Sequence, residues 1–475
     1  MADPVTKALL KLQRMEMAAI RAVLAQPRFL LPAEYQRLRY VLGLARLQRF
    51  APGAALGLPW RPEVEPDPAI VEPLRELVLR EWYKPLRHED SPRARLAGCM
   101  VSLDALHAAA KLTRTNLLVR HADQFTEQEL DAEVGRKALV TVAGGGGGAG
   151  YVYVGAAARL RAEGRSSDYL VGSSIGSLIG AFLARSRQTD IEALMAWAKS
   201  LRVRDIFSRP HIGATHTLPG ITRLHLHSMH RIMTLPDGSP MRLEDLEIPY
   251  DSVVAGVHAR AYEHLPSGLR DFTSPMASGK RFSKLVAERM LLLAAMVSPS
   301  VVKPIVLGGD ALTRRIRAVD AVGLSAAIPA VLQYEPPTRD PESDAILATL
   351  RQQHDVALFV DGGVASNVPA RIAWERVQAG RIGTRNAFYL ALDCFHPQWD
   401  PRHIWLWPVT QAVQLQMASQ KPYFDWLLRF EPTLSPINLL PTAQDFDRAF
   451  QWGWNQADVM LPFLLKALEP VDWVP

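Results

Sequence analysis

Leu139-Val140-Thr141-Val142-Ala143 runs directly into Gly144-Gly145-Gly146-Gly147-Gly148-Ala149-Gly150. The first five residues are apolar or β-branched, as in a buried strand, and the stretch from Tyr151 to Ala162 that follows is helix-like. The pattern predicts a strand, a loop of bare backbone and a helix N-terminus. Such a loop presents N–H groups to something negative. Five consecutive glycines are costly in folding entropy, and close approach of backbone to a ligand or a reacting atom is what offsets that cost. A flexible linker is the alternative, but linkers are flanked by polar sequence and this run lies between two apolar segments.

Glycines alone do not separate a phosphate cradle from an oxyanion hole. The next segment does. A second strand-like run, Tyr169-Leu170-Val171, enters Gly172-Ser173-Ser174-Ile175-Gly176, a G-x-S-x-G, and a small-residue helical stretch from Ser177 to Arg185 follows. A strand-turn-helix of this kind needs glycines because the turn is sharp and bulky neighbours clash with it. Ser174 is then placed at the tip, facing the positive end of the following helix. No G-K-[ST] follows the glycine cluster, so an acyl-transfer site outranks a nucleotide site. Further along, Asp355-Val356-Ala357-Leu358-Phe359-Val360 has the pattern of a fully buried parallel strand. It delivers Asp361-Gly362-Gly363 at its carboxyl end, where open α/β sheets place their ligands.

Composition bounds the class. Of 475 residues, 48% are apolar and 21% charged, which describes a globular protein with a substantial core. A net charge of +6 favours anionic surfaces, and without zinc-type cysteine spacing or a long basic run it does not point to nucleic acid. Cys99 and Cys394 are far apart, which excludes a disulfide framework. With no signal-peptide pattern at the N-terminus, the expected location is cytoplasmic. The longest uncharged run, Ala138 to Ala158, could span a bilayer, but seven of its residues are glycine and it is read as the loop of the site.

Residues 1–136 read as a helical extension without catalytic features. Asp3-Pro4 looks like an N-cap and a first-turn proline, starting a helix that runs to about Leu24. Lys7, Lys11, Arg14 and Arg21 share one face of it; Leu9, Leu12, Met15, Ile20 and Val23 occupy the other, interrupted by Glu16. Such a helix suits an anionic membrane or the protein's own core, and packing on the core is the expected use. Pro52 to Pro68 form a stiff connector. Residues 186–247 read as an irregular, surface-exposed cap with helical pieces at Asp190 to Ser200 and Arg223 to Met233. His225, His227 and His230 lie there, with His211 and His216 scattered nearby, but lack a carboxylate at ligand spacing, so no metal site is expected. Ile248 to His258 is a core strand, Val297 to Asp310 a loop, Phe282 to Met296 and Thr313 to Leu324 helices, and Ala387 to Leu392 a last strand. The C-terminal eighty residues look helical and hold Trp399, Trp405, Trp407, Trp426, Trp452, Trp454 and Trp473, read as a lid or core in preference to bilayer anchors.

Taken together, Gly144 to Gly150, Gly172 to Gly176, and Asp361-Gly362-Gly363 continuing through Asn367 and Pro369 resemble the patatin-like phospholipases, whose three motifs come in this order. Ala318 to Pro329 also looks like a helix end of that family. The resemblance covers roughly residues 137–395. It implies an α/β, three-layer fold with a mainly parallel central sheet, extended by helical N- and C-terminal segments, 1–136 and 396–475. It implies lipid acyl hydrolysis of phospholipids or lysophospholipids by a Ser174–Asp361 dyad, with Gly145, Gly146 and Gly147 as the oxyanion hole. No cofactor or metal is called for. The implied partners are a lipid ester and an anionic membrane surface, met by peripheral association. One departure stands out: the family carries Arg or Lys where this chain has Ala149. Two alternatives stay open, a Ser-Asp-His esterase using His396, which follows the last strand, and a non-catalytic scaffold, raised by Ala149.

Overall fold

The computed structural model describes residues 3–209, 216–265, 296–397 and 407–475. Six α-helices precede the first core strand among them: α1 (Pro4–Ala25), α2 (Pro32–Ala45), α3 (Pro68–His88), α4 (Pro92–Met100), α5 (Leu103–Arg120) and α6 (Glu127–Gly135). Asp3 caps α1, its carboxylate accepting from the Thr6 N–H at 3.0 Å. The apolar arc of α1 is buried against α2, α3 and α4 and against the C-terminal helix Ala443–Leu468, so it faces protein on every apolar side. Glu16, which interrupts that arc in the sequence, is the hub of a buried ion cluster with Arg46 at 2.7 Å, Lys137 at 2.8 Å and Arg39 at 3.4 Å. Burial alone raises its pKa, but the three cations outweigh that and hold the carboxyl at about 2. The cluster ties α1 and α2 to the residue that opens the central sheet.

Among the described residues ten strands form two sheets. The large one contains β1 (Ala138–Ala143), β2 (Tyr169–Ser173), β5 (Tyr250–His258), β6 (Val302–Leu307), β8 (Val356–Val360), β9 (Ala387–Asp393) and β10 (Trp426–Arg429). β3 (Phe207–Ser208), β4 (Thr222–Leu224) and β7 (Leu332–Tyr334) make a small second sheet. In the large sheet the order β10-β9-β1-β2-β5 is parallel throughout. Successive side chains alternate between faces. Thus Leu139 and Ala143 of β1, with Phe388, Leu390 and Leu392 of β9, meet α7 (Val152–Ala162) and the C-terminal helix; Val140, Val142, Tyr389 and Ala391 meet the helix Ala370–Gln378. Helices therefore cover both faces, the three-layer α/β arrangement expected, with helical segments before and after it.

Several local expectations are corrected. β8 is not parallel: it runs antiparallel to β5, and so does β6, which forms within the stretch read as a loop. An apolar run reports burial but not direction, and Lys303-Pro304 broke the pattern of β6. Residues 216–247 are not a surface cap, since Ile221, Leu224, Leu226, Met229, Met233, Met241 and Leu243 are buried with the sheet-facing residues of α8 (Ile175–Arg185). The helix expected from Thr313 is a single turn followed by Ala318–Ser325. The C-terminal segment is helical at Trp407–Gln420 and Ala443–Leu468, yet between them it adds β10 to the sheet edge. Trp426 packs on Phe463 and Trp473 on Tyr40, so these tryptophans serve the interior. The expected helix Phe282 to Met296 lies, apart from its last residue, outside the described residues, as do His211, Trp399 and Trp405.

The decisive geometry is along one edge of β5. β6 occupies the other edge over Ser252 to Val257. β2 pairs in parallel up to Ser173 opposite Val253, and β8 pairs antiparallel down to Val360 opposite Ala255. The two strands thus run head to head toward Val254, and the residue leaving each is Ser174 or Asp361.

Candidate active site

Leaving β2, the chain turns at Ser174 with φ 54° and ψ −125° and enters α8 at once. That backbone region is strained for a residue with a side chain. The flanking glycines are needed for space: a Cβ on Gly172 would lie 2.5 Å from the Ser177 Cα, and one on Gly176 would lie 2.3 Å from the Ala143 carbonyl oxygen. Ser325, at the end of the helix Ala318–Ser325, braces the turn. Its Oγ accepts from the Ser174 N–H at 2.9 Å and donates to the Val253 carbonyl at 2.6 Å.

Ser174 Oγ donates to Asp361 Oδ2 at 2.5 Å, and both residues are buried. The second oxygen of Asp361 accepts from the Gly363 N–H at 2.8 Å, and the Asp361 N–H donates to the Ala327 carbonyl at 2.9 Å. Burial pushes this carboxyl up to about 6; the bonds from Ser174 and Gly363 pull the other way and do not cancel it.

The glycine loop is pinned on both sides. Gly144 donates to the Leu392 carbonyl at 3.0 Å, Gly145 to that of Asn367 at 3.1 Å and Gly148 to that of Pro436 at 2.9 Å. Of the three donors expected from the sequence, Gly145 therefore already has an acceptor. The N–H groups of Gly146 and Gly147 have none among the described residues. Gly147 has φ 53°, and a Cβ there would lie 2.3 Å from the Pro436 carbonyl oxygen, so this position requires glycine.

Two apolar cavities meet at Ser174. The larger, about 550 Å³, is lined by Gly145, Gly146, Gly147, Asp361 and Asn367 together with Phe207 and the loop Pro436 to Leu440. The narrower, about 100 Å³, runs between Leu178, Phe182, Trp197 and Phe446. Asp361 is the one carboxyl side chain among the described residues lining either, and Tyr151, its phenol kept protonated by burial, is the other ionisable group. Among the described residues no histidine lines them. Both ring nitrogens of His396 face backbone carbonyls, Nδ1 that of Pro397 at 3.3 Å and Nε2 that of Phe430 at 3.1 Å. The structure does not bring His396 to Ser174. Ala149 is fully buried in an apolar cluster with Val152, Ile175 and Phe446, so no cation belongs at that point of this fold.

Sequence reasoning missed three contributors. Ser325 and Asn367 sat in motifs quoted for their resemblance without a role, and Pro436 to Leu440 carried no local signal at all.

Fold and site define an α/β protein in which a serine on a strand-turn-helix faces a buried carboxylate inside an apolar cavity. The family model for patatin-like phospholipases, a family of lipid acyl hydrolases, matches residues 141–374, so this part of the chain is similar to that family. No curated protein matches the chain. The match includes the glycine loop, Ser174 and Asp361; β9, β10 and the terminal helices lie outside it. Among the described residues no helix is long and apolar enough to cross a membrane.

Proposed function

We propose that the protein hydrolyses carboxylic esters of phospholipids or lysophospholipids through a Ser174–Asp361 dyad. The observation that carries this reading is the 2.5 Å hydrogen bond from Ser174 Oγ to Asp361 within an apolar cavity. Ser174 attacks the ester carbonyl while Asp361 takes its proton, and the N–H groups of Gly146 and Gly147 stabilise the tetrahedral oxyanion. The proton on Asp361 passes to the departing alcohol. Water then attacks the acyl-enzyme, giving a proton to Asp361, and Asp361 returns it to Ser174 Oγ as the acyl–serine bond breaks and the fatty acid leaves.

A free carboxylate, with a pKa of about 4, is a weak base. At about 6, Asp361 is still ionised at neutral pH yet is better matched to proton transfer. In this reading residues 137–395 carry the chemistry, residues 1–136 buttress the start of β1 through the Glu16 cluster, and residues 396–475 complete the cavity wall through the loop Pro436 to Leu440. The two cavities meeting at Ser174 suit an acyl chain on one side and the rest of the lipid on the other.

The test is covalent labelling with a fluorophosphonate, mapped by peptide mass spectrometry, together with incubation of the pure protein with a mixed panel of phospholipids and neutral lipids. Labelling at Ser174 and release of fatty acid with a lyso-product are expected. Labelling at another serine, or release undiminished in the Ser174→Ala protein, would overturn the assignment.

A further inference from the structure

We infer that the mouth of the larger cavity is a docking face for an anionic lipid surface, formed by Val203 and Ile437 with Arg202, Arg204 and Arg209; this rests on reading Ser174 as the reactive serine. Val203 is 64% exposed and Ile437 46% exposed, yet both line the cavity that holds Ser174. Single exposed apolar residues are ordinary. These two come from segments more than two hundred residues apart and belong to one opening, so the apolar lining of the cavity continues out to the surface there.

The segment that brings Val203 and Phe207 into the cavity wall is basic. Arg202, Arg204 and Arg209 are exposed and have no ion-pair partner among the described residues. Nearby cations are neutralised: Lys199 by Asp447 and Arg448 by Asp445. The one acidic side chain of the segment, Asp205, accepts from the Arg202 N–H at 2.8 Å. An apolar opening whose wall segment carries these exposed guanidinium groups matches a surface with negative headgroups over a hydrocarbon interior. Each basic residue near such a surface strengthens binding by about fivefold, in a salt-dependent way. Its position also brings an aggregated lipid ester to the cavity of Ser174 without the molecule first entering water.

The basic face of α1, the candidate from sequence, lacks the apolar half of this arrangement. Its apolar arc, Leu9, Leu12, Met15, Ile20 and Val23, is buried in the protein, Val5 and Leu24 are exposed only at its two ends, and Lys11 lies over the Tyr83 ring at 5.2 Å.

The experiment uses the full chain with vesicles of phosphatidylcholine alone and of an equal mixture with phosphatidylglycerol. Because Cys99 and Cys394 are buried, Val203→Cys can be labelled selectively with a polarity-sensitive fluorophore. Expected are a blue shift on adding the anionic vesicles, weaker binding as salt rises, an affinity loss of about tenfold or more in Arg204→Glu/Arg209→Glu, and unchanged binding in Lys7→Glu/Lys11→Glu. Binding is also measured in Ser174→Ala protein, so it is read without turnover. Binding insensitive to the arginine pair, binding lost in the α1 pair, or a blue shift caused by self-association without lipid overturns the proposal. Protein that is labelled by the fluorophosphonate and cleaves a soluble short-chain ester but ignores vesicles overturns the docking face alone. Protein that binds vesicles as expected but is not labelled at Ser174 overturns the catalytic reading alone.

Discussion

Ser174 and Asp361 are 187 residues apart in the chain and share a hydrogen bond of 2.5 Å. They meet because β2 and β8 approach each other from opposite directions along one edge of β5, with Val254 between the paired positions. The serine is held by a strained turn and the carboxylate by a dry one, and each has consequences that can be measured.

The strain at Ser174 predicts an inverted order of stability. Both Ser174→Ala and Ser174→Gly remove the nucleophile and should lose ester turnover. With φ at 54°, alanine keeps the backbone strain and glycine releases it. The glycine variant should therefore be the more stable of the two by about 1 kcal/mol, against the usual entropic preference for alanine. Denaturant midpoints of the two purified variants decide this, and a less stable glycine variant denies the strain.

Asp361 predicts a pH dependence. As a base it must be ionised, so kcat/KM should rise with pH through an apparent pKa of about 6 and fall in acid. The folded pKa lies above the ordinary 3.8, so the folded state binds the extra proton between those values. Its contribution to stability is fully present below the unfolded pKa and is lost as pH rises through about 6. Asp361→Asn abolishes turnover and removes that loss. Asp425 is also pushed up to about 6 by burial, so the readout is the difference in Tm between wild type and variant, which should grow in the variant's favour from acid to neutral pH.

Ala149 looks from sequence like a lost cation that Ala149→Arg would restore. Its burial among Val152, Ile175 and Phe446 predicts the reverse. Placing a guanidinium there without a partner should destabilise the fold by about 3 kcal/mol or more. A lowered Tm with loss of activity is expected, and a variant as stable and active as wild type would mean that the loop can turn the new side chain outward.

His396→Ala separates a dyad from a triad. With its ring nitrogens facing backbone carbonyls, the imidazole has no path to Ser174, and the variant should keep turnover within about tenfold. Removal of a general base costs on the order of 10⁴-fold. A folded His396→Ala protein with losses of that size would install the triad.

The sequence by itself determined the parts whose physics is local. β-branched residues feeding Gly144 to Gly150 specify a strand and a bare loop; Gly172 and Gly176 specify the turn at Ser174, because side chains at those positions collide with neighbours within a few residues or with β1. Asp361 before two glycines could be read as the end of a strand. What only the tertiary structure decided depends on partners far along the chain. The direction of β8 is invisible in Val356 to Val360, since burial on both faces gives the same apolar run in either orientation, yet that direction brings Asp361 to Ser174. Glu16 reads as a flaw in an amphipathic helix until Arg39, Arg46 and Lys137 surround it. Gly145, Gly146 and Gly147 are identical as letters, and only the fold gives the N–H of Gly145 to the distant Asn367 carbonyl while the other two meet no acceptor among the described residues. Backbone preference and side-chain periodicity act over a few residues and can be read in order, whereas hydrogen-bond partnership, strand direction and charge pairing are properties of neighbours in space.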